Sequence, residues 1–183
     1  SFSFHSLKRH VLTALPPAER AGAVEMQDGT GYALYRWVGE DRAALLAEMT
    51  PLGAGVRFAD GVVVAAYEIR REARGGGLEV WLACWLQTDA DKGADEHFTV
   101  QLLDENGAVA GQDDHAGYPS TYWQTGDVVL SRFVIPVPED LRPGDYRLRA
   151  GIYHYPAIEV VPVVNPEGQP VDDAVTLQTL TFD

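Results

Sequence analysis

The chain has 183 residues, 46% hydrophobic and 10% aromatic, with 14 Lys and Arg against 27 Asp and Glu for a formal net charge of −13. That length and apolar content suit one folded domain with an ordinary core and exclude a disordered chain. The charge argues against nucleic acid, which requires a basic footprint, and against electrostatic docking on anionic lipid; it marks solubility and weak steering instead.

Residues 1–60 differ in character from the rest. Leu7 to Leu15 reads as a short helix stopped by Pro16-Pro17, because proline lacks the amide that continues a helix. Gly31 to Val38 reads as a strand. Glu40 to Met49 is the strongest helix candidate, with Asp41 as its cap and Pro51 closing it. Residues 1–55 are therefore expected to form an N-terminal segment with one or two short helices and a strand, ahead of a β-sandwich over 56–183.

From Gly61 onward the pattern is that of strands, expected at 61–70, 78–87, 97–103, 108–112, 128–135, 145–153 and 174–182, with another at 157–163. Leu78-Glu-Val-Trp-Leu-Ala-Cys-Trp-Leu86 is apolar at nearly every position, as in a central strand covered on both faces. A helix is the rival for so short a run, but Gly75-Gly-Gly77 and the β-favouring residues point to strand. In the run from Tyr146, the residues Tyr146, Leu148, Ala150 and Ile152 share one face while Arg147 and Arg149 share the other. Phe98, Val100 and Leu102 oppose Thr99 and Gln101 in the same way. Asp104-Glu-Asn-Gly107 lies between two such runs, and Asn-Gly tolerates the positive φ of a tight turn. Pro143-Gly144 ends one element and starts the next. Short strands at regular spacing point to a mainly β chain, a sandwich or barrel, with a small α-containing N-terminal segment. Its core is expected to centre on Trp81 or Trp85 with Phe98, Phe133 and Tyr146.

Two loops carry groups with chemical potential. Asp89, Asp91 and Asp95 place carboxylates at alternate positions, a pattern that suits calcium, which takes six to eight oxygen ligands. Gly93 occupies a position where an oxygen ligand is usual, so weak calcium binding or a solvated acidic loop is expected, and no other cofactor. Gln112, Asp113, Asp114 and His115, followed by Tyr118, Tyr122 and Trp123, make the best candidate ligand site. Aromatic faces stack on the apolar faces of sugars while carboxylates and amides bind the hydroxyls. The competing account has Tyr118-Pro119 and Trp123 fastening a long loop to the sandwich. Cys84 is the sole cysteine, which excludes an intrachain disulfide, and its apolar setting makes it a small core residue. The histidines have no metal-ligand spacing, and no nucleophile motif or phosphate-binding loop is present.

The framework residues from position 56 resemble a known domain type. They are Val56-Arg-Phe58, Gly61, Ala66-Tyr-Glu-Ile69, Leu78 to Trp85, Phe98 to Asp104, Gly107, Gln112-Asp113, Tyr118-Pro119, Trp123 and Gly126-Asp127. Pro138, Leu141, Pro143-Gly144, Tyr146-Arg-Leu148 and Gly151-Ile-Tyr153 complete the set. Together they are similar to the C-terminal sandwich domains of bacterial membrane proteins of the dolichyl-phosphate-mannose-protein mannosyltransferase type. The resemblance implies an Ig-like or jelly-roll-like antiparallel β-sandwich, a non-catalytic module on the extracytoplasmic face of a bacterial membrane. The remainder of the membrane protein, upstream, would be its partner and would hold the chemistry. The chain opens at Ser1, which fits a piece of a longer protein. A carbohydrate-binding module, with glycan as partner, is the second expectation. A jelly-roll enzyme with an acid/base pair among Asp113, Asp114 and His115 is the third.

Overall fold

The computed structural model describes residues 19–25, 31–36, 49–71, 77–86, 95–116 and 128–183. In chain order the strands are β1 (Glu19–Glu25), β2 (Gly31–Arg36), β3 (Thr50–Arg57), β4 (Val62–Arg71), β5 (Gly77–Leu86), β6 (Asp95–Leu103) and β7 (Val109–His115). They continue with β8 (Val128–Pro136), β9 (Gly144–Tyr155), β10 (Glu159–Val161), β11 (Val163–Val164), β12 (Pro170–Asp172) and β13 (Ala174–Phe182). No helix occurs among the described residues. The helices expected at 7–15 and 40–49 fall outside them, apart from Met49. The expected division between 55 and 56 falls inside β3.

The strands build a six-stranded antiparallel sheet in the order β1-β2-β8-β5-β4-β3. A five-stranded sheet runs β10-β9-β6-β7 with β13 also on β9, and β11-β12 form a small ribbon. One hydrophobic cluster joins the two large sheets. Val62 and Val64 of β4, Leu78, Val80, Leu82 and Cys84 of β5, and Val129, Phe133 and Ile135 of β8 meet Phe98, Val100 and Leu102 of β6. Tyr146, Leu148, Ala150 and Ile152 of β9 complete it. Each fully buried Leu, Val or Phe here contributes roughly 1.5–3 kcal/mol relative to exposure. The turn between β6 and β7 forms as its residues dictate: Asp104 Oδ1 accepts from the amides of Asn106 (2.9 Å) and Ala108 (2.8 Å), and Gly107 takes φ 83°.

Two features depart from the sequence reading. Trp81 is fully buried but lies outside the inter-sheet cluster, and Trp85 is only half-buried. Alternation is the reason: Leu78, Val80 and Leu82 fill the inner face of β5, so Glu79 and Trp81 point the other way. There Trp81 Nε1 donates to Glu79 Oε1, and Arg132 Nη2 donates to Glu79 Oε2 at 2.9 Å. Burial by itself would raise the Glu79 pKa, but the hydrogen bonds from Arg132 and Trp81 and the charges of Arg132 and Arg70 outweigh it and hold the carboxyl below its ordinary range. The second departure is β7. The short run expected at 108–112 continues to His115, so Gln112, Asp113, Asp114 and His115 belong to a strand and not to a loop. Their polarity hid the strand, since no apolar alternation runs through them.

Candidate functional site

A strand sends successive side chains to opposite faces, and this divides the four polar residues of β7 into two pairs. Gly111, Asp113 and His115 stand opposite Leu102, Val100 and Phe98 in the ladder with β6, and these partners face the core. Asp113 and His115 accordingly turn inward, where they meet the backbone of β8. Asp113 Oδ2 accepts from the Val134 amide at 2.7 Å, and its Oδ1 accepts from the Asp114 amide at 2.8 Å. His115 Nε2 lies 2.8 Å from the Arg132 carbonyl and so carries the proton and donates. Its ring stacks on Phe133 at 4.4 Å between centroids. Beyond the β2 pairing at Val128, the two side chains supply β8, on its side away from β5, with the partners that a neighbouring strand would give, and they tie one sheet to the other. Gly111 permits the approach, since a Cβ there would fall 2.4 Å from the Pro136 carbonyl oxygen.

Gln112 and Asp114 point outward, onto the solvent face of the five-stranded sheet. Gln101 Nε2 donates to Gln112 Oε1 at 3.2 Å across the β6–β7 ladder. Asp114 Oδ1 accepts from the Tyr153 hydroxyl. Tyr153 comes from β9 and His97 from β6, and the two are partners in register. His97 Nδ1 lies 3.3 Å from the Tyr153 hydroxyl and 3.9 Å from Asp114 Oδ1. With its proton committed to Asp114, the tyrosine oxygen is the acceptor towards His97. Burial first, then the hydrogen bond to Asp114 and its charge, push the Tyr153 pKa up to about 12. The phenol therefore stays a neutral donor across the physiological range.

Tyr155, the last residue of β9, completes the surface. Its ring stacks on His97 with centroids 4.6 Å apart and an interplanar angle of 19°, yet it remains 52% exposed. Val160 and Ile158, on and beside β10, are also exposed large apolar residues. Gly151, between Tyr153 and Arg149 on this face, is buried, with the side chains of its cross-strand neighbours Thr99 and Ala174 beside it. Arg149 closes that end, with Nη2 on Asp172 Oδ1 and 3.0 Å from the Ala174 carbonyl. The result is a platform of aromatic rings bordered by a carboxylate, two amides and a guanidinium.

The structure thus does not gather Gln112, Asp113, Asp114 and His115 on one face. Tyr118, Tyr122 and Trp123 lie outside the described residues, as do Asp89 and Asp91. Asp95 opens β6, where it pairs with Tyr155 in register. His97, Tyr153 and Tyr155 escaped the sequence reading because they come from two strands far apart in the chain. A signal was present: the odd positions of the run from Arg147 are its wet face, and that face ends in two tyrosines.

No family model matches the chain, and no curated protein sequence matches it. Among solved structures the chain is similar to the C-terminal domain of Wzt, with 17% identity over 75% of this chain and 91% of that one, at a TM-score of 0.45.

Proposed function

We propose that this domain is a non-catalytic, extracytoplasmic accessory β-sandwich, Ig-like or jelly-roll-like in build. It belongs to a membrane-anchored, glycosyltransferase-like protein and recognises carbohydrate with the outer face of its five-stranded sheet. The observation that carries the recognition reading is the exposed His97–Tyr155 stack beside the Tyr153–Asp114 hydrogen bond. Rings offer rigid apolar area to the C–H faces of a sugar, and a neighbouring carboxylate and amides suit its hydroxyls. This moves the expected aromatic patch from the 112–124 loop to the sheet beside it. Only Gln112 and Asp114 are shared between the two.

The membrane attachment and the extracytoplasmic placement rest on the framework residues that resemble mannosyltransferase-type C-terminal domains. The enzyme reading has less support. Both oxygens of Asp113 accept backbone amides and His115 Nε2–H is committed to a carbonyl, so the inward pair holds strands together instead of moving substrate protons.

A glycan array probed with the purified domain tests the recognition reading. A hit that weakens at least tenfold (about 1.4 kcal/mol) in Tyr155→Ala is the expected result. A parent that binds no glycan, or a Tyr155→Ala variant that binds as tightly as the parent, would overturn it.

A further inference from the structure

Glu96 and His154 are cross-strand partners on β6 and β9. Each shares the parity of a core residue two positions away, Phe98 and Ile152, so both face the interior between the sheets. Glu96 is only 2% exposed, an unusual place for a carboxylate. From the other sheet comes Asp60, on the tight turn between β3 and β4. That turn is firmly held: Gly61 N donates to Phe58 O at 3.0 Å, Ala59 N to Pro162 O at 2.9 Å, and Asp60 Oδ1 accepts from Val62 N at 3.0 Å. The second oxygen, Asp60 Oδ2, is buried and accepts no hydrogen bond among the described residues. One ligand atom from each of Asp60, Glu96 and His154 lies within 4.8 Å of the others.

From this juxtaposition we infer a zinc-type divalent-cation site formed by Asp60, Glu96 and His154. The buried second oxygen of Asp60 carries a desolvation cost that a cation held between these groups would offset. One imidazole with two carboxylates is a donor set for zinc, which takes His nitrogen and Asp or Glu oxygen at about 2.0–2.2 Å and completes a tetrahedron with water. The span among the three groups needs only small side-chain adjustments to reach such an ion. Calcium fits poorly, because it seeks six to eight oxygens and one of these donors is nitrogen. The site shares no residue with the acidic set Asp89, Asp91 and Asp95 or with the carbohydrate surface. Its effect would be mechanical: the ion would fasten the β3–β4 turn of one sheet to the β6–β9 ladder of the other. Asp113 and His115 already join the sheets on the β7–β8 side.

The test uses the intact domain, stripped with chelator and then titrated with zinc and separately with calcium, followed by calorimetry and thermal melting. One zinc per chain is expected, with a raised melting midpoint, and His154→Ala should weaken binding by at least ~10-fold while His97→Gln leaves it unchanged. Glu96→Gln keeps the shape of the side chain and removes its charge. Zinc should no longer raise its midpoint. Cobalt gives a second readout, through absorption bands of a tetrahedral site that His154→Ala abolishes. A parent midpoint indifferent to zinc, a response to calcium alone, or zinc binding unchanged in Glu96→Gln would overturn the site.

Discussion

The inner and outer faces of β7 carry acidic and polar residues one position apart, and the sheet puts them to opposite uses. On the inner face Asp113 and His115 stand against the side of β8 that faces away from β5, with every bond made to backbone. On the outer face Gln112 and Asp114 stay near solvent and bond only to side chains, Gln101 and Tyr153. Backbone partners cannot rearrange without moving a strand, whereas side-chain partners can turn to meet a ligand. The same residue type is therefore structural on one face and available on the other, and the surroundings decide which.

The largest expected effect belongs to the interior that both inner residues border. Phe98 is 1% exposed within the inter-sheet cluster, and Phe98→Ala should destabilise by ~3–5 kcal/mol through lost transfer energy and the cavity left behind. A chemical denaturation midpoint unmoved by that change would break the core assignment.

Next comes the tie itself. Asp113→Ala leaves the Val134 amide without its acceptor and should cost ~1–3 kcal/mol in chemical denaturation. Gly111→Ala tests the same seam by overpacking, for ~1–3 kcal/mol, since the new methyl would meet the backbone of Pro136 and not a flexible side chain. If both variants melt like the parent, β7 does not hold the sheets together.

A pH series extends the comparison to the six-stranded sheet. Glu79 has a folded pKa below its ordinary 4.5, so its contribution to stability is present at neutral pH. That contribution is lost as pH falls below about 4.5 and through the lower folded value. Glu79→Gln should be less stable than the parent at pH 7 and should flatten this part of the stability curve. Parallel curves for the two proteins would show that the Arg132 pair contributes nothing.

The smallest effects are expected outside. Tyr155→Ala, at a half-exposed ring, should change stability by about 0.5 kcal/mol.

Much of this architecture was legible in the residues. The strands at 78–86, 98–103 and 146–153 announced themselves by unbroken apolarity or clean alternation, and Asn106-Gly107 marked the turn between β6 and β7. The end of β7 was not legible, because its inward positions Gly111, Asp113 and His115 meet a strand edge instead of an apolar core. β12 was missed for a related reason: Pro170-Val-Asp172 is too short and polar to show a period. Trp81 was read into the wrong face because a strand buried on both sides offers no alternation to orient it. The site was half legible. Gln112 and Asp114 stood out, but His97, Tyr153 and Tyr155 join them only through the ladders β6–β7 and β6–β9, and a cross-strand register is not written in any local segment.

The most direct test of the division is to place Asp113→Ala and Tyr155→Ala side by side, measuring thermal melting and glycan binding on each. The account predicts a crossed outcome. Asp113→Ala should melt roughly 3–8 °C lower, following from the loss of a buried acceptor, and still bind glycan below its midpoint. Tyr155→Ala should melt with the parent and bind at least tenfold more weakly. A Tyr155→Ala protein that binds normally, or an Asp113→Ala protein that keeps its midpoint and loses binding, would contradict the assignment of the two faces.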